Sequence, residues 1–241
     1  DNWSAEQTLD ARVAAGTARN IYYMQRTAGA NTGTLRPFTF TNLQSDGLDG
    51  NFDGVCSKAV PLSQCVDSGY DARYRLRRHV LGDIVGGAPV SVKRPQFQYT
   101  ENAYASFKAA NNSRTGVVYV ASNDGMLHAF RGETTTSPTP NPGPGGEELW
   151  GFVPYDALGT MQDRLGSQKR DPHTYVIASA VRLADVFVPG SFSRNINGAT
   201  VSGDGVWRTV IYFGRGIGGK FLSALDVTAP GAYTRGSLQT A

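Results

Sequence analysis

The residues best suited to chemistry are Asp49-Gly50-Asn51-Phe52-Asp53-Gly54. They fit the D-x-[DN]-x-[DN]-G opening of an EF-hand-type calcium loop. Calcium takes about six to eight hard oxygen ligands at ~2.3–2.6 Å. Side chains at alternate positions 1, 3 and 5, here Asp49, Asn51 and Asp53, converge when the chain curls, and Gly54 permits the sharp turn. Val55 would give its backbone carbonyl, and Ser57 would ligate directly or through water. The pattern then departs, because position 12 is Val60 where an EF-hand carries a bidentate Glu. Asp46, Asp67 and Asp71 are the carboxylates that could complete the set. The competing reading is a solvated turn, since Asp, Asn and Gly are also the ordinary turn residues. No amphipathic helix flanks the loop, so a helix–loop–helix hand is not expected.

Cys56 and Cys65 are the two cysteines of the chain. Their spacing suits a local disulfide, whose ten-residue loop would contribute about 2.5–3 kcal/mol in the chain-entropy picture. Such a bridge implies an oxidising compartment. It would also pin the calcium loop and could return Asp67 towards it. His79, His128 and His173 show no zinc-ligand spacing relative to the cysteines.

No catalytic constellation is expected. Glu147 and Glu148 are adjacent, so on a strand they point to opposite faces and suit a glycosidase dyad poorly. Neither G-x-S-x-G nor H-E-x-x-H occurs, and no arrangement marks a Ser-His-Asp triad. Asp83, Asp124, Asp156, Asp185 and Asp226 sit at expected strand ends or turns, where Asp accepts backbone N–H bonds. Gly214–Gly219 misses the dinucleotide spacing and serves a hairpin turn. Trp150 and Trp207 are expected to pack between sheets rather than stack on a cofactor.

The elements that must hold these residues are mostly strands. The chain has 241 residues, 18% charged, with 29 glycines, a composition that favours an all-β, turn-rich protein. A net charge of +3 is too small and scattered for a nucleic-acid surface. The Arg73, Arg75, Arg77, Arg78 cluster reads as a solvated face. No apolar run is long enough to span a membrane.

Residues 4–15 read as a short helix with Ser4 as N-cap and Leu9 and Val13 on one face. Arg19–Met24 reads as a strand, 27–36 as loop, and 43–71 as an acidic, cysteine-bearing insertion. Val80–Val92 reads as a turn followed by a strand. Val117–Phe130 is a strand, an Asn-Asp-Gly turn and a returning strand. A polar excursion over Thr134–Gly146 leads to a third strand, Glu148–Pro154. Tyr175–Ile177 and Leu183–Val188 are two more strands, and Ser193–Gly205 is a loop. Thr209–Asp226 repeats the hairpin pattern. Repeated hairpins ending in small-plus-apolar pairs, Ala129-Phe130 and Ala224-Leu225, suggest propeller blades. Two or three blades cannot close a ring, so the chain is read as a fragment, with a loop-rich segment over 1–78 and blades over 79–241.

Four segments carry a family resemblance: Leu81–Val90, Val118–Phe130, Glu148–Pro154 and Trp207–Thr228. In this order they resemble the propeller domain of the PilC/PilY family of type IV pilus tip-associated adhesin and biogenesis proteins. The resemblance implies a quinoprotein-like β-propeller, export through the periplasm, and a place at the pilus tip or outer surface. It implies docking on minor pilins, attachment to a host-cell or abiotic surface, twitching motility, and calcium control of pilus extension and retraction. The family's own propeller calcium loop lies late in the domain, so Asp49–Gly54 is read as a separate site. A non-enzymatic pilus component is therefore expected. A PQQ-type quinoprotein dehydrogenase and a calcium-free periplasmic propeller scaffold are the alternatives.

Overall fold

Ser4 opens the first element as the sequence demands: its Oγ accepts the Gln7 backbone N–H at 3.3 Å, relieving one of the orphan donors of a helix start. Helix α1 spans Ala5–Ala14 and buries Leu9 completely. The computed structural model describes residues 3–15, 19–26, 33–38, 42, 45–46, 81–100, 104–136, 142–158, 175–189, 194–196, 199–201 and 205–229.

The strands are β1 (Ile21–Arg26), β2 (Gly33–Pro37), β3 (Val90–Val92), β4 (Val117–Ala121), β5 (Leu127–Arg131), β6 (Glu148–Val153), β7 (Val181–Pro189), β8 (Arg194–Ile196), β9 (Ala199–Val201), β10 (Gly205–Gly214) and β11 (Leu222–Asp226). A second helix, α2, spans Tyr104–Ala110. Strands β3 to β6 form an antiparallel meander, as one propeller blade requires. The three-stranded sheet β11-β10-β7 is the second blade-like unit. The architecture is thus all-β, with few helices.

Four expectations change. Strands β1 and β2 extend the meander into one six-stranded sheet of order β2-β1-β6-β5-β4-β3. The segment read as loop-rich over 1–78 thus contributes two strands to this sheet. Part of the loop expected over 27–36 is strand β2, because edge pairing with β1 satisfies its backbone. Tyr175–Ile177 is not a strand: Ala178 instead donates its N–H to Arg215 O at 3.0 Å. The loop expected over Ser193–Gly205 contains the β8–β9 hairpin.

The core lies between the two main sheets. Tyr119, Phe152, Ile211, Phe213 and Leu225 are buried there, while Phe130 is buried on the opposite face of its sheet beside His128. The Phe152 and Phe213 rings meet edge-on across the interface at 6.3 Å. Trp150 is buried beside Tyr119, as expected of a packing residue. Trp207 joins an aromatic cluster with Tyr99, Tyr104 and Phe187.

Candidate functional site

The β4–β5 turn starts the site. Asp124 Oδ1 accepts the Met126 N–H at 3.0 Å, and Gly125 takes a φ of 93°, an Asx-type turn that positive φ makes possible. This turn aims the other Asp124 oxygen inward. Gly82 packs so closely against it that a Cβ there would lie 2.6 Å from Asp124 N.

His128 leaves the turn on β5 and receives that oxygen: its Nε2 stands 2.9 Å from Asp124 Oδ2. Its Nδ1 stands 2.8 Å from Glu148 Oε1. Glu148 reaches the same face through a register shift. Ala129 pairs with Trp150, but Phe130 pairs with Glu148. The extra residue re-aims the side chain, as bulges do. Glu147 turns outward to Arg131 at 3.0 Å, so the adjacent glutamates do face apart. Arg19 closes the line with a two-pronged bond to Glu148, Nε to Oε2 at 2.6 Å and Nη2 to Oε1 at 2.7 Å. The Asp124, His128 and Glu148 side chains are wholly buried.

Two carboxylates flank one imidazole, so the imidazole is held doubly protonated and both nitrogens donate. Burial pushes the His128 value down, but Asp124 and then Glu148 outweigh it and hold it up at about 9. Burial would raise Glu148, yet Arg19 and then His128 hold it well below the usual carboxylate range. Asp124 is likewise lowered against its burial, chiefly by His128 and then Arg19. The tetrad is balanced, with two cations and two anions.

The sign of its pH dependence follows. The His128 contribution is full below its ordinary value of 6.5 and is lost as pH rises through about 9. The carboxylate contributions are full above the ordinary values of 3.8 and 4.5, and are lost as pH falls through the lowered folded values. Urea unfolding is expected to show greatest stability at about pH 5–6.5, with an alkaline loss on the order of 3 kcal/mol by about pH 10. A His128→Gln variant should lack the alkaline decline that the wild type shows through pH 9.

Two further polar clusters stitch the second sheet in place. Asp185 accepts from Tyr104 Oη at 2.6 Å and Thr209 Oγ1 at 2.7 Å, anchoring α2 to β7 and β10. Burial, then Asp185, raises the Tyr104 hydroxyl. Buried Arg215 grips Asp156 through Nε at 2.8 Å and Nη2 at 2.7 Å, and Ser223 at 2.8 Å. The aspartates read as turn residues are therefore charge and hydrogen-bond partners as well. Asp226 combines both readings, accepting the Thr228 N–H at 2.9 Å and pairing with Arg208 at 3.5 Å.

Of the proposed calcium ligands, Asp49, Asn51, Asp53, Val55 and Ser57 lie outside the described residues, as do Asp67, Asp71 and the Cys56–Cys65 pair. Asp46 is described. Its carboxylate accepts from Tyr23 Oη, Arg36 Nη1 and Gln25 Nε2, the last at 2.8 Å, and so ties β1 to β2. Among the described residues no cluster of three or more His, Cys, Asp or Glu side chains is arranged to hold a metal ion. Among them, too, no helix is long and apolar enough to cross a membrane.

Sequence reasoning missed His128, Glu148, Arg19 and Arg215. A usable signal existed for His128, a titratable group set among the apolar strand residues Leu127, Ala129 and Phe130, where burial demands a partner.

These features define an all-β protein of stacked, blade-like sheets, antiparallel but for the β1–β6 pair and braced by buried ion pairs. The family model described as the PilY1 beta-propeller domain matches residues 81–236, and the chain belongs to that family. It is 32% identical, over 95% of its length, to the type IV pilus biogenesis factor PilY1 of Pseudomonas aeruginosa strain UCBPP-PA14. It is 31% identical, over 83% of its length, to the PilY1 homolog of Xylella fastidiosa strain Temecula1. The chain spans only 18% and 15% of those two relatives. No solved structure matches the chain.

Proposed function

We propose that this chain is the propeller portion of a type IV pilus biogenesis factor, a non-enzymatic component exported to the cell envelope and placed at the pilus tip. The observation that carries the reading is the family match, which runs through both main sheets. The buried tetrad supports a structural role, because both His128 nitrogens are engaged and the group is closed to solvent. In this reading the protein docks on minor pilins and supports pilus assembly, twitching motility and attachment to a host-cell or abiotic surface. Deleting the gene is expected to strip surface pili and abolish twitching, and full-length protein should restore both. Unchanged piliation in the deletion strain would overturn the proposal.

The same proposal includes calcium. Asp49, Asn51 and Asp53 would supply side-chain oxygens, Val55 its carbonyl and Ser57 a hydroxyl or a bridging water. The Cys56–Cys65 disulfide would hold that loop in an oxidising compartment. Calorimetry on the chelated protein is expected to show calcium binding that an Asp49→Ala/Asp53→Ala variant has lost. Absence of heat in the wild type, with the fold intact, would reduce the loop to an ordinary turn.

A further inference from the structure

The six-stranded sheet joins two parts that lie far apart in the chain. Strands β3 to β6 are the meander, and α1, β1 and β2 form an N-terminal arm that attaches at β6. The backbone junction is short, although Leu9, Tyr22 and Tyr23 of the arm join the same buried core and Trp3 Nε1 donates to Gly132 O at 3.2 Å. β1 pairs with β6 in parallel over Ile21–Gly151, Tyr22–Phe152 and Tyr23–Val153. Gly151 N–H donates to Asn20 O at 2.8 Å, Asn20 Nδ2 donates to Leu149 O at 3.2 Å, and Arg12 Nη1 donates to Glu148 O at 2.7 Å.

The charges at this junction are divided unevenly. Asp124, His128 and Glu148 all belong to the meander; Arg19 belongs to the arm. Without the arm, the meander buries two carboxylates against one imidazolium. The arm delivers the missing cation, and delivers it to a carboxylate already aimed by His128, itself aimed by Asp124. Glu148 thus presents both oxygens to a guanidinium fork, the geometry that favours Arg over Lys. The charged groups facing His128 are Asp124 from the turn and Glu148 from β6, with Arg19 beyond Glu148; on its own strand it stacks on Phe130. Arg12 of α1 reaches the backbone of Glu148 rather than its carboxylate.

We propose that the Asp124–His128–Glu148 line is a preformed arginine receptacle that opens at Glu148 on the outer strand of the meander, and that the N-terminal arm is a separately docking element locked in place by Arg19. The arm then undocks as a unit while the two blade-like sheets stay folded. Such partial opening is a cooperative step below global unfolding in free energy. It makes β6 an acceptor edge for a strand that carries an arginine, here filled by the chain's own arm.

Hydrogen exchange of the whole chain, read by mass spectrometry, tests this. In an Arg19→Gln variant at about pH 6, peptides covering 19–26 and 33–38 are expected to lose protection about tenfold or more, while β10 peptides stay within about twofold of wild type. An Arg19→Lys variant should recover part of that protection, because the charge returns without the fork. Lowering the pH of the wild type favours the undocked state, in which Glu148 takes up the proton it does not take beside Arg19, and should release the arm peptides before β10. Equal loss in arm and β10, in either the variant or the acid titration, would overturn the proposal and make the arm an integral part of one cooperative core. Unchanged arm protection in Arg19→Gln would overturn it equally.

Discussion

Replacing Glu148 by alanine is expected to lower stability by about 3–5 kcal/mol, the largest effect of any single side chain in the buried tetrad. Glu148 is the one member bonded to two cations, Arg19 and His128. Its removal strips the buried Arg19 guanidinium of both its Glu148 bonds and leaves His128 with Asp124 on its other nitrogen. Removing Arg19 as well should cost much less than the sum of the two single changes, because the residual groups are then Asp124 and His128, a neutral pair. Urea unfolding of Arg19→Ala, Glu148→Ala and the double variant closes the cycle, with an expected coupling of about 2 kcal/mol or more. Additive losses would mean that Arg19 and Glu148 are held by packing and that their ion pair contributes nothing net.

Substituting Gly216 by alanine is expected to cost about 3 kcal/mol or more. Two independent penalties coincide at this residue. Its φ is +56°, in the left-handed region where a Cβ is strained. A Cβ built there would also fall 1.9 Å from the Ala178 carbonyl oxygen, which is backbone and cannot swing aside. That contact holds the β10–β11 turn against residues 175–178, where Ala178 N–H bonds to Arg215 O. The substitution should therefore loosen Arg215 and its grip on Asp156. Gly214 is the internal control: a Cβ there meets Ser179 Oγ at 3.5 Å, an ordinary contact, so Gly214→Ala should cost about 1 kcal/mol or less. Equal effects at the two glycines would remove the steric argument.

The local rules carried the strands well. Asn123-Asp124-Gly125 between two β-branched runs specified the β4–β5 hairpin, because positive φ and an Asx bond are properties of the turn residues themselves. Ser4 specified a helix start for the same reason. The segment 27–36 misled because its Gly, Asn and Thr content describes an isolated chain, whereas β2 gains its order from pairing with β1. Helix α2 escaped because Tyr104 is buried through contacts with Trp207 and Asp185, far along the chain.

What the sequence by itself determined is the class: an all-β chain of repeated hairpins with the ordered motifs of the PilY1 propeller family. These follow from period-two apolar patterning and turn chemistry, which act over a few residues. What only the tertiary structure decided is which charges meet. Arg19 and Glu148 lie 129 positions apart, and their pairing depends on a parallel β1–β6 contact and on a one-residue register shift at Ala129–Phe130. A shift of that kind turns a side chain from one face of a sheet to the other. No local rule contains it, so Glu148 reads in the sequence as half of an adjacent acidic pair pointing to opposite faces of a strand and stands in the fold as the centre of a buried, charge-balanced lock.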